Sequence, residues 1–292
     1  MTPRQIRSLL KVMEVGSVQR AARELYLAPS SISAQIRELS AELGVTLLEP
    51  AGRGIIPSAA AQQLQPSFRS FLALSEEISQ QASSIAHEPG GTLKLFAPSS
   101  MCIYRLPALI NALQASAPQV EVMLEHEPFD HLEAFRCGEL DAAILVSQVE
   151  SDEWINNRLH AEDVIFVCHP SRYQADAITL EQLNQQPLIT TEAGCSYRVA
   201  AEVHFRSQGL TLKPRQSFSN VEVIRRCLLA NMGIGLLPRC AVEDDLAKGT
   251  LKHQAVAGTP YPFFSTLVYP RGRSCPPKLQ ALIEVCRTGC TT

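Results

Sequence analysis

Residues 17–39 read Ser17-Val-Gln-Arg-Ala-Ala-Arg-Glu-Leu-Tyr-Leu-Ala-Pro-Ser-Ser-Ile-Ser-Ala-Gln-Ile-Arg-Glu-Leu39, and this stretch decides the first domain. Val18, Ala21, Ala22 and Leu25 recur at helical spacing, and so do Ile32, Ile36, Leu39 and Leu43. Each set is a stripe that one helix would bury. Tyr26-Leu27-Ala28 breaks the pattern, and Pro29 stands where a first helical residue tolerates a missing N–H. Two short helices across a tight break make a helix-turn-helix. Ser30, Ser31, Ser33, Ala34 and Arg37 lie off the buried stripe of the second helix. Small polar side chains there would let the helix approach base edges in a major groove. An ordinary helical hairpin with a serine-rich solvated face would show the same periodicity.

Working outward, residues 58–87 carry Leu64, Phe68, Phe71, Leu72, Leu74, Ile78 and Ile85 near helical spacing. A lone helix of this kind must pack on something. The candidates are a second copy of itself or its own body domain. Pro66 should kink it or mark its true first turn. Glu88-Pro-Gly-Gly91 reads as a hinge. Beyond it the texture alternates. Strands are expected at 92–97, 120–125, 141–146, 164–168, 188–191, 216–219, 233–238 and 263–269. Helices are expected at 106–115, 129–137, 180–183, 196–209, 221–231 and 277–286. That rhythm belongs to parallel α/β sheets. The expected fold is multidomain α/β: a winged helix-turn-helix over 1–58, a linker helix and hinge over 59–89, and a two-lobed body over 90–292. Lobe I would comprise 90–162 and 264–292, and lobe II 163–263.

Composition admits a multidomain globular chain. The 292 residues carry 46% hydrophobic and 19% charged side chains, with a net charge of -3. Seven basic against five acidic side chains leave residues 1–60 at +2, so the acidic excess lies in the remainder. A mildly basic head on an acidic body suits a protein that grips nucleic acid with one part only. The nine cysteines show no Cys-x-x-Cys spacing, which points to reduced, largely buried thiols. No apolar run has the length of a membrane span and no leader pattern stands before Arg4, so a cytoplasmic protein without membrane partners is expected. Phosphate-binding glycine loops, Gly-x-Ser-x-Gly and His-Glu-x-x-His are absent from the sequence. Asp130-His131 and Cys168-His169 are adjacent pairs and offer no three-ligand metal set. Neither an enzyme nor a cofactor is expected.

Ile6, Val15-Gly16-Ser17, Ala21-Ala22, Leu25, Pro29-Ser30, Ser33, Gln35-Ile36, Leu39, Glu42-Leu43-Gly44, Leu47-Leu48 and Gly52-Arg53-Gly54 form one spaced pattern. It resembles the head of LysR-type bacterial transcriptional regulators. Leu106-Pro107, Ala117-Pro118, Gly138-Glu-Leu-Asp141, Glu192 to Arg198 and Asn231 to Pro238 extend the resemblance through nearly the whole chain. Four positions depart from it: Ala28, Ala34, Leu48-Glu49-Pro50 and Pro57-Ser58. The resemblance implies double-stranded DNA with two-fold half-sites, a homodimer or homotetramer joined through the linker helix, RNA polymerase as a further partner, and a small effector in the cleft of a periplasmic-binding-protein-like body. Ser30, Ser31, Ser33, Gln35 and Arg37 would meet bases or phosphates, with Arg53 of the wing at the minor groove. Losing the arginines expected near 34 and 50 should weaken sequence-independent binding.

For the effector, Ser99-Ser100-Met101-Cys102 joins a strand to a helix start, where backbone N–H groups suit an anion. Without a ligand the same residues make a cap and a turn. Thr190, Thr191, Tyr197 and Arg198 form a second such loop. Arg198 would pair either a ligand carboxylate or a surface acid. Phe218, with Ser219 and Asn220, could close the cleft, as could Glu127 or Phe129. A small anion or carboxylate is the ligand expected. Two other readings of the same body fold are a solute-binding protein and a thiol-redox sensor. For the latter, Cys195 lies near the first of the cysteine pair that peroxide-sensing members carry, but no second cysteine follows within a dozen residues, and His204 stands nine positions on.

Overall fold

The computed structural model describes residues 1–51, 54–84, 89–126, 131–271 and 275–289. The chain divides into two compact units, residues 1–88 with 130–141 and residues 89–129 with 142–292.

In the first unit, α1 (Pro3–Val15), α2 (Val18–Glu24) and α3 (Pro29–Leu43) precede a two-stranded wing, β1 (Leu48–Ala51) and β2 (Gly54–Pro57). The wing strands pair antiparallel, Leu48 opposite Pro57. The long helix α4 (Ala59–Ser84) follows. Thr2 and Gln5 close a capping box on α1, and Gly16 ends it at φ 67°. Ser17 caps α2 by accepting from the Arg20 N–H. Tyr26 turns the chain at φ 53°, a left-handed conformation rare for a bulky residue. Ile6, Leu9, Val12, Ala21, Ala22, Ile32, Ile36 and Leu39 meet in one buried cluster. Ala61 and Phe68 of α4 join it, so the first turns of the linker helix pack on the head itself. The helix runs on through Pro66, and Leu74 and Ile78 lie exposed further along. The last residues expected in that helix, 85–87, fall outside the described residues, as does the wing tip with Arg53.

The body begins with β3 (Gly90–Phe96), α5 (Ser99–Tyr104), α6 (Leu106–Ser116) and β4 (Gln119–Glu125), then α7 (His131–Arg136), β5 (Ala142–Ser147) and β6 (Trp154–Cys168). Next come α8 (Leu180–Asn184), β7 (Leu188–Thr191), α9 (Ser196–Ser207), β8 (Gln216–Phe218), α10 (Val221–Leu229), β9 (Ile234–Pro238), α11 (Glu243–Lys248), β10 (Lys252–His253), β11 (Tyr261–Pro270) and α12 (Pro277–Gly289). Of these α7 clusters with the first unit.

The strands form one sheet in the order β4-β3-β5-β11-β6-β9-β7-β8, with β10 on β6. Two parallel halves result, β4-β3-β5 and β9-β7-β8. Between them β11 and β6 run antiparallel over ten residues of β11. Strand β6 is fifteen residues long, ten longer at its start than periodicity indicated. Its first part, Trp154 to Asp163, is mostly polar and half-exposed, so it lacks the apolar run that marked 164–168. In that run Val164, Phe166 and Cys168 pack in one core with Tyr197, Ala201 and Phe205 of α9. Ile165 and Val167 pack in another with Val221, Ile224 and Leu228 of α10. Successive strand residues face opposite ways, so a strand covered on both faces reads as a continuous apolar run.

Candidate nucleic-acid interface and effector cleft

On a helix each residue advances about 100°. With Ile32, Ile36 and Leu39 of α3 fully turned inward, Ser30, Ala34 and Arg37 stand on the opposite side. Ser30, Ser31 and Arg37 are exposed, whereas Ser33, Ala34 and Gln35 are half-buried. Gln35 is partly committed elsewhere: buried Ser8 of α1 donates to its Oε1 at 2.6 Å, a bond that occupies the amide oxygen and not the N–H pair. The start of α3 differs from the other two head helices. Ala28 has the extended backbone of a cap, φ -73° and ψ 140°, but gives no side-chain hydrogen bond.

The two effector loops both follow the C-terminal ends of parallel strands, β3 and β7, where ligands gather in open α/β sheets. The structure brings them together. Ser100 Oγ of α5 lies 3.1 Å from the Tyr197 phenol of α9, and both are buried. Tyr197 also meets Phe263 of β11 edge to face, 5.3 Å between centroids. Burial holds the Tyr197 phenol well above its ordinary pKa, so it stays a neutral hydroxyl. Thr190 is buried, and its hydroxyl turns to the Thr191 carbonyl at 3.1 Å. Glu192 Oε2 is buried with no hydrogen-bond partner among the described residues.

Other predicted residues are placed differently. Met101 sits in the hydrophobic core, and the Cys102 thiol donates to the Ala97 carbonyl. Arg198 donates to Glu202 Oε1 at 2.7 Å, to the Thr191 carbonyl and to Ser217, so its partner is the surface acid. Phe218 packs half-buried beside Val221 and Leu228. Glu127 and Phe129 lie outside the described residues. Burial also raises the pKa of the Cys195 thiol, which disfavours the thiolate that oxidation needs.

Two contacts went unread in the sequence. Arg105 holds Glu162, which is 2% exposed, through two hydrogen bonds of 2.9 and 3.3 Å. Tyr104 donates to Glu222 Oε2 at 2.7 Å, joining α5 to α10. Burial pushes the Glu222 carboxyl up, but bonds from Tyr104 and Arg226 and the charge of Arg225 outweigh that and hold it below its usual range. Arg225 passes the chain on to buried Asp245 at 2.6 Å. Both pairs link residues more than fifty positions apart with no local motif, so periodicity could not find them.

A winged head followed by a two-lobed α/β body with facing strand-end loops defines a ligand-responsive transcriptional regulator. Residues 3–62 match the bacterial regulatory helix-turn-helix protein, lysR family, and residues 86–291 match the LysR substrate binding domain. The chain belongs to the LysR family of DNA-binding transcriptional regulators, which are not enzymes. It is similar to the uncharacterized HTH-type transcriptional regulator YwqM of Bacillus subtilis, 29% identical over 97% of this chain and 98% of that one. Its fold is similar to full-length CbnR complexed with its target DNA, with a TM-score of 0.70 and 20% identity over 99% of this chain and all of that one. A full-length OxyR variant from Pseudomonas aeruginosa gives a TM-score of 0.70 and 21% identity over 98% of both chains. No helix among the described residues is long and apolar enough to cross a membrane.

Proposed function

We propose that this regulator acts in the cytoplasm and binds a two-fold operator as a homodimer or a pair of dimers. The observation that carries the DNA reading is α3. Its inner side is sealed by Ile32, Ile36 and Leu39, and its outer side presents Ser30, Ala34 and Arg37, with exposed Glu38 beside them. Ser30, Ser31 and Ser33 meet base edges or phosphates, Gln35 offers its amide N–H groups, and Arg37 and the wing residue Arg53 hold the backbone. The exposed Leu74 and Ile78 on α4 support pairing of this helix with its copy. The relative solved with its target DNA supports the same use of the head.

The effector enters where the Ser99–Ser100 and Thr190–Tyr197 loops meet, and separates or bridges the Ser100–Tyr197 pair. Of the other residues expected there, Met101 is packed in the core and Arg198 is held by Glu202, and a small anion or carboxylate is the class taken. The resulting change in lobe geometry alters how the paired heads sit on DNA.

The test of the head is fluorescence anisotropy with the region beside this protein's own coding sequence. Arg37→Ala should weaken binding to every duplex alike and flatten the salt dependence by about two units of slope for a bound dimer, as expected when each subunit no longer neutralises one phosphate. Equal affinity for operator and random duplex in the parent protein refutes the proposal. For the cleft, a thermal-shift screen of small acids should give a hit that Ser100→Ala and Thr190→Ala abolish.

A further inference from the structure

The body holds a cavity of about 510 Å³ that none of Ser100, Thr190, Tyr197 or Arg198 lines. It is walled by α6 and α12 and floored by β5, β6 and β11. Its volume falls within the range of small-molecule sites, roughly 300–1,000 Å³. Leu106, Leu109, Ile144, Leu159 and Val285 make its apolar lining. Ala108, Ala112 and Ser116, exposed on α6, form its rim.

Tyr104, Arg105 and His160 line the cavity together with Ser116, Ser265 and Thr288, the charge of Arg105 acts on His160, and, among the described residues, no Asp or Glu lines the space. Arg105 bonds Glu162 through Nε and Nη2 alone among those residues. Three of its five N–H donors therefore remain. Burial, and then the charge of Arg105, lower the pKa of His160, so its ring is neutral and offers an N–H without a second charge.

We propose that this cavity is a second small-molecule site, separate from the Ser100–Tyr197 cleft, and that it takes a hydrophobic monocarboxylate. A single ring or short branched chain fills the apolar part, and the carboxylate accepts from the free edge of Arg105 and from His160. A planar guanidinium and a carboxylate match bidentately, which a neutral ligand cannot reproduce. Buried Met101 also lines this cavity. An occupant here touches Tyr104, whose hydroxyl bonds Glu222 on α10, so it has a mechanical route to the second half of the sheet.

The test uses the full-length protein and cyclohexanecarboxylate as probe, with cyclohexanecarboxamide as its neutral isostere. Binding is read by saturation-transfer NMR and calorimetry. Ala112→Trp and Ser116→Trp each place a ring across the mouth from an exposed position, with folding checked by circular dichroism. The carboxylate should bind the parent protein at least about tenfold more tightly than either rim variant and than the amide binds the parent. Ser100→Ala should leave that binding unchanged. Retention of full binding in both folded rim variants overturns the site. Loss of binding in Ser100→Ala places the probe in the other cleft and overturns it equally. Equal binding of the amide removes Arg105 from recognition, and no signal up to millimolar probe rejects the ligand class.

Discussion

Ala28→Ser should stabilise the head, and the structure fixes by how much. Helix α3 starts at Pro29, which has no N–H, so its first free donors are those of Ser30 and Ser31. The Ser31 N–H reaches the Ala28 carbonyl at 3.0 Å, a tight i to i+3 bond, and no side chain caps the turn. The backbone at Ala28, φ -73° and ψ 140°, is close to that of Thr179, φ -79° and ψ 165°, which does cap α8 through its hydroxyl. A serine at 28 therefore finds the geometry already present and needs no rearrangement. N-cap exchanges between alanine and serine are worth about 1 kcal/mol, within roughly 0.5–2. That is about a fivefold change in the population of the open state. Hydrogen–deuterium exchange of peptides from α1, α2 and α3 reads it directly, with body peptides as an internal control. Exchange in the head should slow by about fivefold while the body stays constant. Unchanged or faster exchange in α3 would refute the reasoning, because it would mean the start of this helix is already satisfied.

Arg105→Met strands buried Glu162. The cost should fall near 3 kcal/mol, the low end for a broken buried pair, because a third of the Arg105 side chain meets solvent. Urea unfolding of the body measures it, and Glu162→Gln in the same chain should recover part of it. His160 and His253 both have pKa values lowered by burial, so they remain neutral in the folded state. Below about pH 6.5 the unfolded chain takes up protons that the folded chain refuses, so stability falls as pH drops from that point. The urea midpoint should be lower at pH 5.5 than at pH 7.5 (~1 pH unit either side of the imidazole value) and less so in His253→Gln, whereas an equal drop in both proteins would exclude His253. At Gly233 a Cβ would lie 2.0 Å from the Pro187 carbonyl oxygen, so Gly233→Ala must move backbone and should cost about 3 kcal/mol or more. Gly235→Ala meets side chains rather than backbone, the end of Leu228 at 2.8 Å and Ile224 Cγ2 at 3.2 Å, and should be milder; the reverse order in thermal unfolding would contradict this reading.

Where the chain alternates or repeats, local chemistry was enough. The stripes of Ile32, Ile36 and Leu39, and of Ala21 and Ala22, demanded helices. Gly16 and Gly44 supplied left-handed ends, and the run from Val164 to Cys168 announced a strand, which two cores cover on its two faces. These are short-range properties: a periodicity of 3.6 or 2 and a backbone freedom can be read in one window of residues. The two strand-end loops were also legible, because the sequence shows where a strand gives way to a helix.

Distant encounters needed three dimensions. Nothing near Glu162 indicates that Arg105, 57 positions earlier, would neutralise it. Met101 was placed in the effector loop by its position in the chain, yet the turn of α5 directs it into the core and the cavity beside α6. Arg198 carries the right chemistry for a ligand, but Glu202, one helical turn further on, takes it. The sequence by itself determined the head, the order of the body's elements and the family to which they belong, because pattern and propensity act locally. Only the tertiary structure decided which side chains face each other across the sheet, because loop closure over tens or hundreds of residues leaves no periodic trace in the chain.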